Sequence, residues 1–387
     1  MATEADEATF EDVDWTTIGR DLRDVRPRTL VEAATLVGWA VSLTYDIFVV
    51  PQGTPTISFG LPTGLDPFVW DVTSVEWFFV MTLLLGVFHV ALPLRDNPRM
   101  TRYYWRQFRK NRAAVVSLVF LGVIFTVGLI GPAIMEPPSL HLAEANRPPV
   151  GFTAAPQGEP VTGTWAHPLG TDHQGQDLLK LVIFGMRVSM EVGLIAMVVA
   201  VSIGTLVGTT AAHFGGYVDE ALMRYVDLQQ TFPSFILLLL LVYLFGGSLI
   251  LIIVIFGFLS WEGTARLVRS EALQRAEEFY VQAAEAAGAS RFWIIRRHLI
   301  PNVSSTVITV ATLSIPGFIL GEASLSFLGL GDPNVHSWGK TIAGGRDSLA
   351  TAPWIATVPG IFLFLTVLAF NFVGDALRDA IDPRQEH

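Results

Sequence analysis

The chain of 387 residues contains no cysteine. That excludes disulfides, thiol nucleophiles and cysteine-ligated metal centres. Lysine is nearly absent too, with Lys110, Lys180 and Lys340 the only three. Charge of either sign is scarce: 16% of residues are Asp, Glu, Lys or Arg, against 51% hydrophobic, and the mean hydropathy is +0.48. A soluble domain of this length would not be so apolar, so the composition indicates a membrane protein with several spans. A basic start ahead of an apolar run is also missing. The first fourteen residues carry six acids and no base, which excludes a secretory signal peptide. Residues 1–30 are expected to form an acidic cytoplasmic tail. The formal net charge is −10, unusual for a membrane protein that needs basic cytoplasmic loops. An acidic, lysine-poor surface stays hydrated in concentrated salt, which fits a salt-accumulating halophile. A GC-rich genome favouring Arg, Ala and Asp codons gives the same bias, and the two readings are compatible.

What is present is a succession of apolar runs, each near the roughly 20 residues that a helical span requires. The expected fold is all-α and polytopic, with about eight spans. Val31–Val50 is the first run, with Glu32 and Asp46 near its ends. Glu76–Leu94 is the second, and residues 31–99 hold these two N-terminal spans. Residues 95–112 carry seven basic residues against one acid, so by the positive-inside rule they are cytoplasmic. Tyr103, Tyr104 and Trp105 fit the aromatic belt beside them. Residues 100–187 hold the next span, Ala113–Met135, and an external Pro/Gly-rich segment from 136. Residues 188–384 hold the remaining spans. Ser189–Ala211 contains Gly204 and Gly208, whose spacing suits close helix packing. Glu191 is expected to reach the interface. Residues 213–234 form an amphipathic stretch at the inner surface. Phe235–Phe245 and Leu249–Leu259 are joined by an external Gly246-Gly247-Ser248 turn. Val303–Leu325 and Pro353–Val373 complete the set, with residues 326–353 external between them. Eight spans place both termini in the cytoplasm.

Catalytic patterns are scarce. There is no nucleophile elbow and no metal-spaced cluster. His167, Asp172, His173 and Asp177 are spaced irregularly for a metal. Gly339-Lys340-Thr341 lacks the upstream glycine of a phosphate-binding loop, since position 334 is Asn334. The chain therefore reads as no enzyme and as holding no cofactor or metal of its own. His89 inside the second span reads as a packing residue rather than a proton site.

One polar stretch stands out between two apolar runs: Tyr280–Asn302, within a cytoplasmic loop at 271–301. Ala283, Ala284, Ala286 and Ala287 favour helix, and Gly288 interrupts it. Ser290 can cap a second helix, and Pro301 can open the next element, where its missing N–H is harmless. The expected form is a short helix, a bend and another short helix with a small Ala/Gly face.

This stretch resembles the "EAA" loop of ABC-importer permeases. Ala283, Ala284, Gly288, Leu299 and Pro301 match that pattern. Gln282 stands where the family has Glu, keeping size and hydrogen bonding without the charge. Upstream, His167 to Asp172, Gly175 and Asp177 follow the HPLGTD-containing motif of the dipeptide/oligopeptide (peptide/nickel) branch, with Gln176 in place of its Arg. Gly215 to Ser234, Glu322 to Gly331, Ser337 to Gly339 and Asn371 to Pro383 continue the resemblance in order, so that it covers residues 100–384. Residues 1–99 fall outside it.

The resemblance implies a membrane-spanning subunit of an ATP-driven ABC importer that forms the translocation pathway for di- or oligopeptides. Its implied partners are a second permease, two cytoplasmic ATPase subunits that use the ATP, an external substrate-binding protein and membrane lipid, with no nucleic acid. It implies an ATPase-coupling role for Gln282, Ala283, Ala284, Glu285, Gly288, Ala289, Ser290 and Pro301. It implies an external or pathway role for His167, Gly170, Asp172, Asp177, Glu322 and Trp338. Nickel or another small solute is an alternative cargo. An ATP-independent secondary transporter is the alternative from another class. That mechanism needs mid-membrane coupling charges and internal repeats, which the sequence does not display.

Overall fold

The computed structural model describes residues 27–51, 56–59, 68–70, 72–155, 158 and 160–381. The acidic tail expected over 1–30 falls almost wholly outside the described residues, as do Asp382 and Pro383. The chain divides into two compact units, Met1–His89 and Val90–His387.

In the first unit, helix α1 (Pro27–Phe48) is followed by strands β1 (Ile57–Phe59) and β2 (Phe68–Trp70), paired antiparallel, and then by α2 (Ser74–Gly86). The sequence reads residues 51–75 as loop; the short ribbon lies inside it. Thr73 caps α2 with a reciprocal capping box to Glu76. Two polar clasps join the helices at opposite ends. Asp46 accepts from Trp77 Nε1 at 2.8 Å and from Thr56 Oγ1 at 2.7 Å. At the other end, His89 Nε2 lies 3.5 Å from Glu32, and Nδ1 lies 3.3 Å from the Leu85 carbonyl oxygen. His89, read from the sequence as a packing residue, is exposed and lies beside the Glu32 carboxylate.

The second unit carries the family-like part of the chain. The second span runs on through a π-helical turn, Val87–Ala91, into α3 (Leu92–Asp96). The basic segment is helix α4 (Pro98–Phe108), and α5 (Arg112–Ile134) follows, capped by Asn111. The segment between α5 and the next long helix holds a small β3–β4 pair, Thr153–Ala154 with Val161–Thr162. Then come α6 (Leu178–Phe214), α7 (Gly216–Thr231), α8 (Ser234–Phe245), α9 (Leu249–Leu259), α10 (Glu262–Ala276), α11 (Phe279–Ala286), α12 (Arg291–Ile294), α13 (Ile300–Asn302), α14 (Ser304–Phe327), α15 (Trp338–Gly345) and α16 (Trp354–Ile381).

Seven helical stretches among the described residues are long and apolar enough to cross a membrane, and the pair α7–α8, bent by 76°, makes an eighth. The count agrees with the sequence, but three boundaries differ. First, α6 starts at Leu178 rather than Ser189. Lys180 and Arg187 make 178–188 look polar, yet Leu178, Leu181, Val182, Ile183 and Met186 are buried. With 37 residues, α6 is about 55 Å long at 1.5 Å per residue, well beyond a hydrocarbon core of about 30 Å. Second, Glu191 does not reach an interface. It is buried on α6 and paired with Arg187 at 3.0 Å. Third, α10 prolongs α9 past 271, where the expected loop begins, and Leu249–Ala276 qualifies as one span. Thr264, Ala265, Val268 and Ala272 form its buried stripe.

The long helices pack where side chains are small, as membrane helices must without a hydrophobic force between them. A Cβ added at Gly204 would meet Thr264 and the Trp261 carbonyl. At Gly208 it would lie 2.5 Å from the Ala265 carbonyl oxygen and 2.9 Å from Arg269 N. The glycine pair therefore seats α10 on α6. Elsewhere Leu121, Ile315, Ile319, Ala369 and Phe370 join α5, α14 and α16 in one apolar cluster.

Candidate functional site

The two groups of residues singled out in the sequence lie at different ends of this bundle. The first begins where α10 ends. Helix α11 closes with Ala287 as its C-cap, and Gly288 adopts φ +83°. The Gly288 N–H donates to the Glu285 carbonyl at 2.9 Å, and the Ala289 N–H donates to that of Ala284 at 3.0 Å. This is the Schellman arrangement, which needs a left-handed residue at the glycine position. One residue later Ser290 caps α12, its Oγ accepting from Trp293 N at 3.3 Å. A π-helical turn, Ile295–Leu299, leads into α13, where Pro301 sits in the first turn. The expected helix–bend–helix is thus the form the segment takes.

Val281, Ile294, Ile295 and Leu299 are buried together, with Ala284 and Ala289 packed against them. Other side chains point outward: Phe279 is 86% exposed and Phe292 73%, with Trp293 and Tyr280 also exposed. Gln282, Ala283 and Glu285 lie on this open side, and the Gln282 side chain turns back to the Glu277 carbonyl at 3.0 Å. Apolar surface exposed at the polar end of a membrane helix bundle marks an interaction site.

Two contacts tie the segment to α6. Glu285 Oε1 lies 3.9 Å from Nδ1 of the buried His213, and the Arg291 guanidinium sits 5.2 Å over the Phe214 ring. Neither pair is legible in the sequence, because the partners are some seventy residues apart. His213 Nε2 is buried without a hydrogen-bond partner among the described residues.

The second group gathers where α6 starts. Asp177 is the N-cap of α6, its Oδ1 accepting from Leu179 N at 2.8 Å and Lys180 N at 3.3 Å. Its other oxygen lies 2.9 Å from His167 Nδ1, and His167 Nε2 lies 2.8 Å from Glu144. Thr171 donates to the Glu144 carbonyl and accepts from Arg147 N. Asp172 Oδ1 accepts from Gln174 N and Gln176 N, which closes the turn around Gly175. Gly170 has φ +83°. His167, Gly170, Asp172 and Asp177 therefore form one hydrogen-bonded knot, to which the structure adds Glu144. Burial alone would lower the His167 pKa. The hydrogen bonds to Asp177 and Glu144 outweigh it, so the imidazole is raised above its usual range. The hydrogen bond to His167 in turn holds Glu144 below the usual carboxylate range. Both imidazole nitrogens are thus committed, and among the described residues no group of three or more His, Cys, Asp or Glu is arranged to hold a metal.

Glu322 and Trp338 lie outside that knot, each with its own partner. Glu322 is buried on α14 and accepts from Ser326 at 2.6 Å. Trp338 opens α15, capped by Ser337, and its Nε1 donates to the Val182 carbonyl of α6 at 3.0 Å. Lys340 donates to the Pro333 carbonyl at 2.6 Å, so Gly339-Lys340-Thr341 lies in a capped helix and not in a phosphate loop.

The model of the binding-protein-dependent transport system inner membrane component family matches residues 185–387, just over half of the chain. The chain belongs to this family. A second model, the N-terminal transmembrane domain of oligopeptide transport permease C, matches residues 100–149. Among relatives of this permease, the oligopeptide transport system permease protein OppC of Haemophilus influenzae is 38% identical over 280 residues, 72% of this chain and 87% of that protein. OppC of Escherichia coli K12 is 39% identical over 72% of this chain and 89% of that protein. The dipeptide transport system permease protein DppC of Bacillus subtilis is 35% identical over 75% and 88%. The permease is a multi-pass inner-membrane transport component. Both family models begin at residue 100 or later, so the first membrane hairpin lies outside them.

Proposed function

We propose that this permease is one of the two membrane subunits of an ATP-driven importer and forms half of the pathway for short peptides. The peptide reading rests on relatives named for oligopeptide and dipeptide transport. The second membrane subunit is a similar permease. Two cytoplasmic ATPase subunits and an external substrate-binding protein complete the assembly, and both termini of this chain lie in the cytoplasm.

The observation that carries the coupling role is the helix pair α11–α12, held on α6 and α10 with its aromatic residues turned outward. ATP binding closes the ATPase pair, which pushes on the open face of Gln282, Ala283, Phe279 and Phe292. Gly288, Ala289 and Ser290 fix the angle between the two short helices, and Pro301 hands the motion to α14. Glu285 and Arg291 hand it to α6 through His213 and Phe214. The bundle thereby moves between inward and outward arrangements whose balance is set by differential contacts. ATP is used by the partner subunits, and this chain binds no cofactor. At the outer end, the knot of His167, Gly170, Asp172 and Asp177 and the Glu322–Trp338 pair hold the mouths of α6, α14 and α15 in register, forming the rigid rim on which the binding protein docks.

The test is to tag the C-terminus, extract the protein gently from its native membrane and identify what accompanies it. A second permease and ATPase subunits are expected, with peptide uptake in vesicles that depends on ATP. A lone protein moving solute without ATP would contradict the proposal and favour a secondary transporter.

A further inference from the structure

We propose that α4 is a binding site for anionic phospholipid headgroups on the cytoplasmic leaflet, with Arg99, Arg102 and Arg106 as its contacts. The three arginines recur at i, i+3 and i+7, so they lie in one stripe within about 60° of the helix circumference at 100° per residue. All three are exposed. On the opposite side, Phe108 is buried against Ala376 and Ala380 of α16 and stacks on Trp105 at 5.9 Å. The core therefore holds α4 by its apolar face and turns the arginines away. Arg109 and Lys110 extend the stripe beyond the helix end. Among the described residues, none of Arg99, Arg102, Arg106, Arg109 and Lys110 has a carboxylate partner. This cluster stands out in a chain whose net charge is −10.

Position selects the ligand. The segment is bounded by a span ending at Asp96 and another starting at Arg112. Helix α4 has 11 residues, about 17 Å in length. Both ends of the segment continue into candidate membrane helices, which keeps α4 close to the headgroup layer. A basic amphipathic helix with tyrosine and tryptophan beside the arginines, in that layer, complements phosphate-bearing lipid. Six of the seven basic residues of 95–112 are arginine. The guanidinium fork pairs with phosphate through two parallel hydrogen bonds, a short-range contact less sensitive to salt than a lone ammonium charge.

The test uses the full-length chain in nanodiscs of phosphatidylcholine containing a minor fraction of phosphatidylglycerol. The lipid retained on extraction is measured by native mass spectrometry. The wild type is expected to enrich phosphatidylglycerol by ten-fold or more. Arg99→Gln/Arg102→Gln/Arg106→Gln is expected to lose most of that enrichment, on a scale of about five-fold per arginine. Arg95, Arg109, Lys110 and Arg112 remain in this variant to preserve topology. Arg291→Gln/Arg296→Gln/Arg297→Gln is expected to keep the enrichment. No preference in the wild type, or an undiminished preference in the α4 variant, would overturn the proposal. So would equal loss in the control variant, which would mean that basic charge anywhere suffices. Displacement of the lipid by tens of millimolar inorganic phosphate would assign the stripe to a free anion instead. Loss of a co-purifying protein with unchanged lipid would assign it to a protein partner.

Discussion

The two ends of this bundle are built differently. The end where α6 starts is tied by buried or half-buried hydrogen bonds converging on few residues: His167 between two carboxylates, Thr171 bridging to Glu144 and Arg147, and Trp338 fixed to α6. The end where α6 finishes is a pair of short helices over one small apolar cluster, with large aromatics left open and two light contacts to α6. The first end resists deformation, because His167, Thr171 and Trp338 there are each held by hydrogen bonds to other segments. The second is lightly attached and presents unpartnered apolar surface, as a segment must if another subunit is to seize and move it. Rigidity at the first end and adaptability at the second are what the proposed importer requires at those two places.

The comparison can be broken at either end. The largest effect is expected from Trp338→Ala. The ring is fully buried against Gly185 and its N–H is satisfied, so truncation costs about 3–5 kcal/mol. It should lower the melting temperature of the detergent-solubilised protein sharply. At the coupling end, Gly288→Glu should spare folding but abolish transport. The Cβ itself has open space, and the penalty is the left-handed backbone, about 1–2 kcal/mol confined to the bend. Gly288→Asn tolerates that conformation and should retain most uptake. Equal loss in both variants would show that backbone angle is not what matters there.

A smaller effect is expected from pH. The His167 pKa is raised on folding, so its contribution is complete below about pH 6.5 and is lost as pH rises through the raised value. That of Glu144 is lowered, so its contribution is complete above about pH 4.5 and is lost as pH falls through the lowered value. Amide protection relative to the intrinsic exchange rate across residues 141–177 should therefore be greatest between these limits. His167→Gln should remove the alkaline limb while leaving exchange at residues 279–300 unchanged. The smallest effect belongs to the exposed Arg266–Asp227 pair. Arg266→Gln should change stability by less than about 1 kcal/mol, within the error of most thermal melts.

Much of this contrast was legible in the sequence, unevenly. Gly288 and Ser290 announce the bend locally, since a left-handed C′ residue and an N-cap are each set by their own backbone. The apolar runs gave eight spans because length and composition suffice for that. Where α6 begins was hidden, because Lys180 and Arg187 break the hydropathy while the residues between them face the core. The end of α10 falls inside the expected loop at 271–301 because Glu271, Arg275 and the acids after it dominate the composition there. Its membrane-bundle stripe of Ala265, Val268 and Ala272 becomes visible only against Gly204 and Gly208 of α6. Glu144 could not be paired with His167 from sequence, since they stand 23 positions apart with no periodic pattern linking them. Tertiary contacts of that range are what sequence patterns omit.

The central claim is that the open face of α11–α12 is where the ATP-hydrolysing subunit engages this permease. Because the chain has no cysteine, a single Ala283→Cys is its only thiol. In native membranes, a short thiol-to-amine crosslinker should join Ala283→Cys to the ATPase subunit. The same reagent on Leu142→Cys, exposed in the external segment, should not. An ATPase adduct with Leu142→Cys and none with Ala283→Cys would contradict the account.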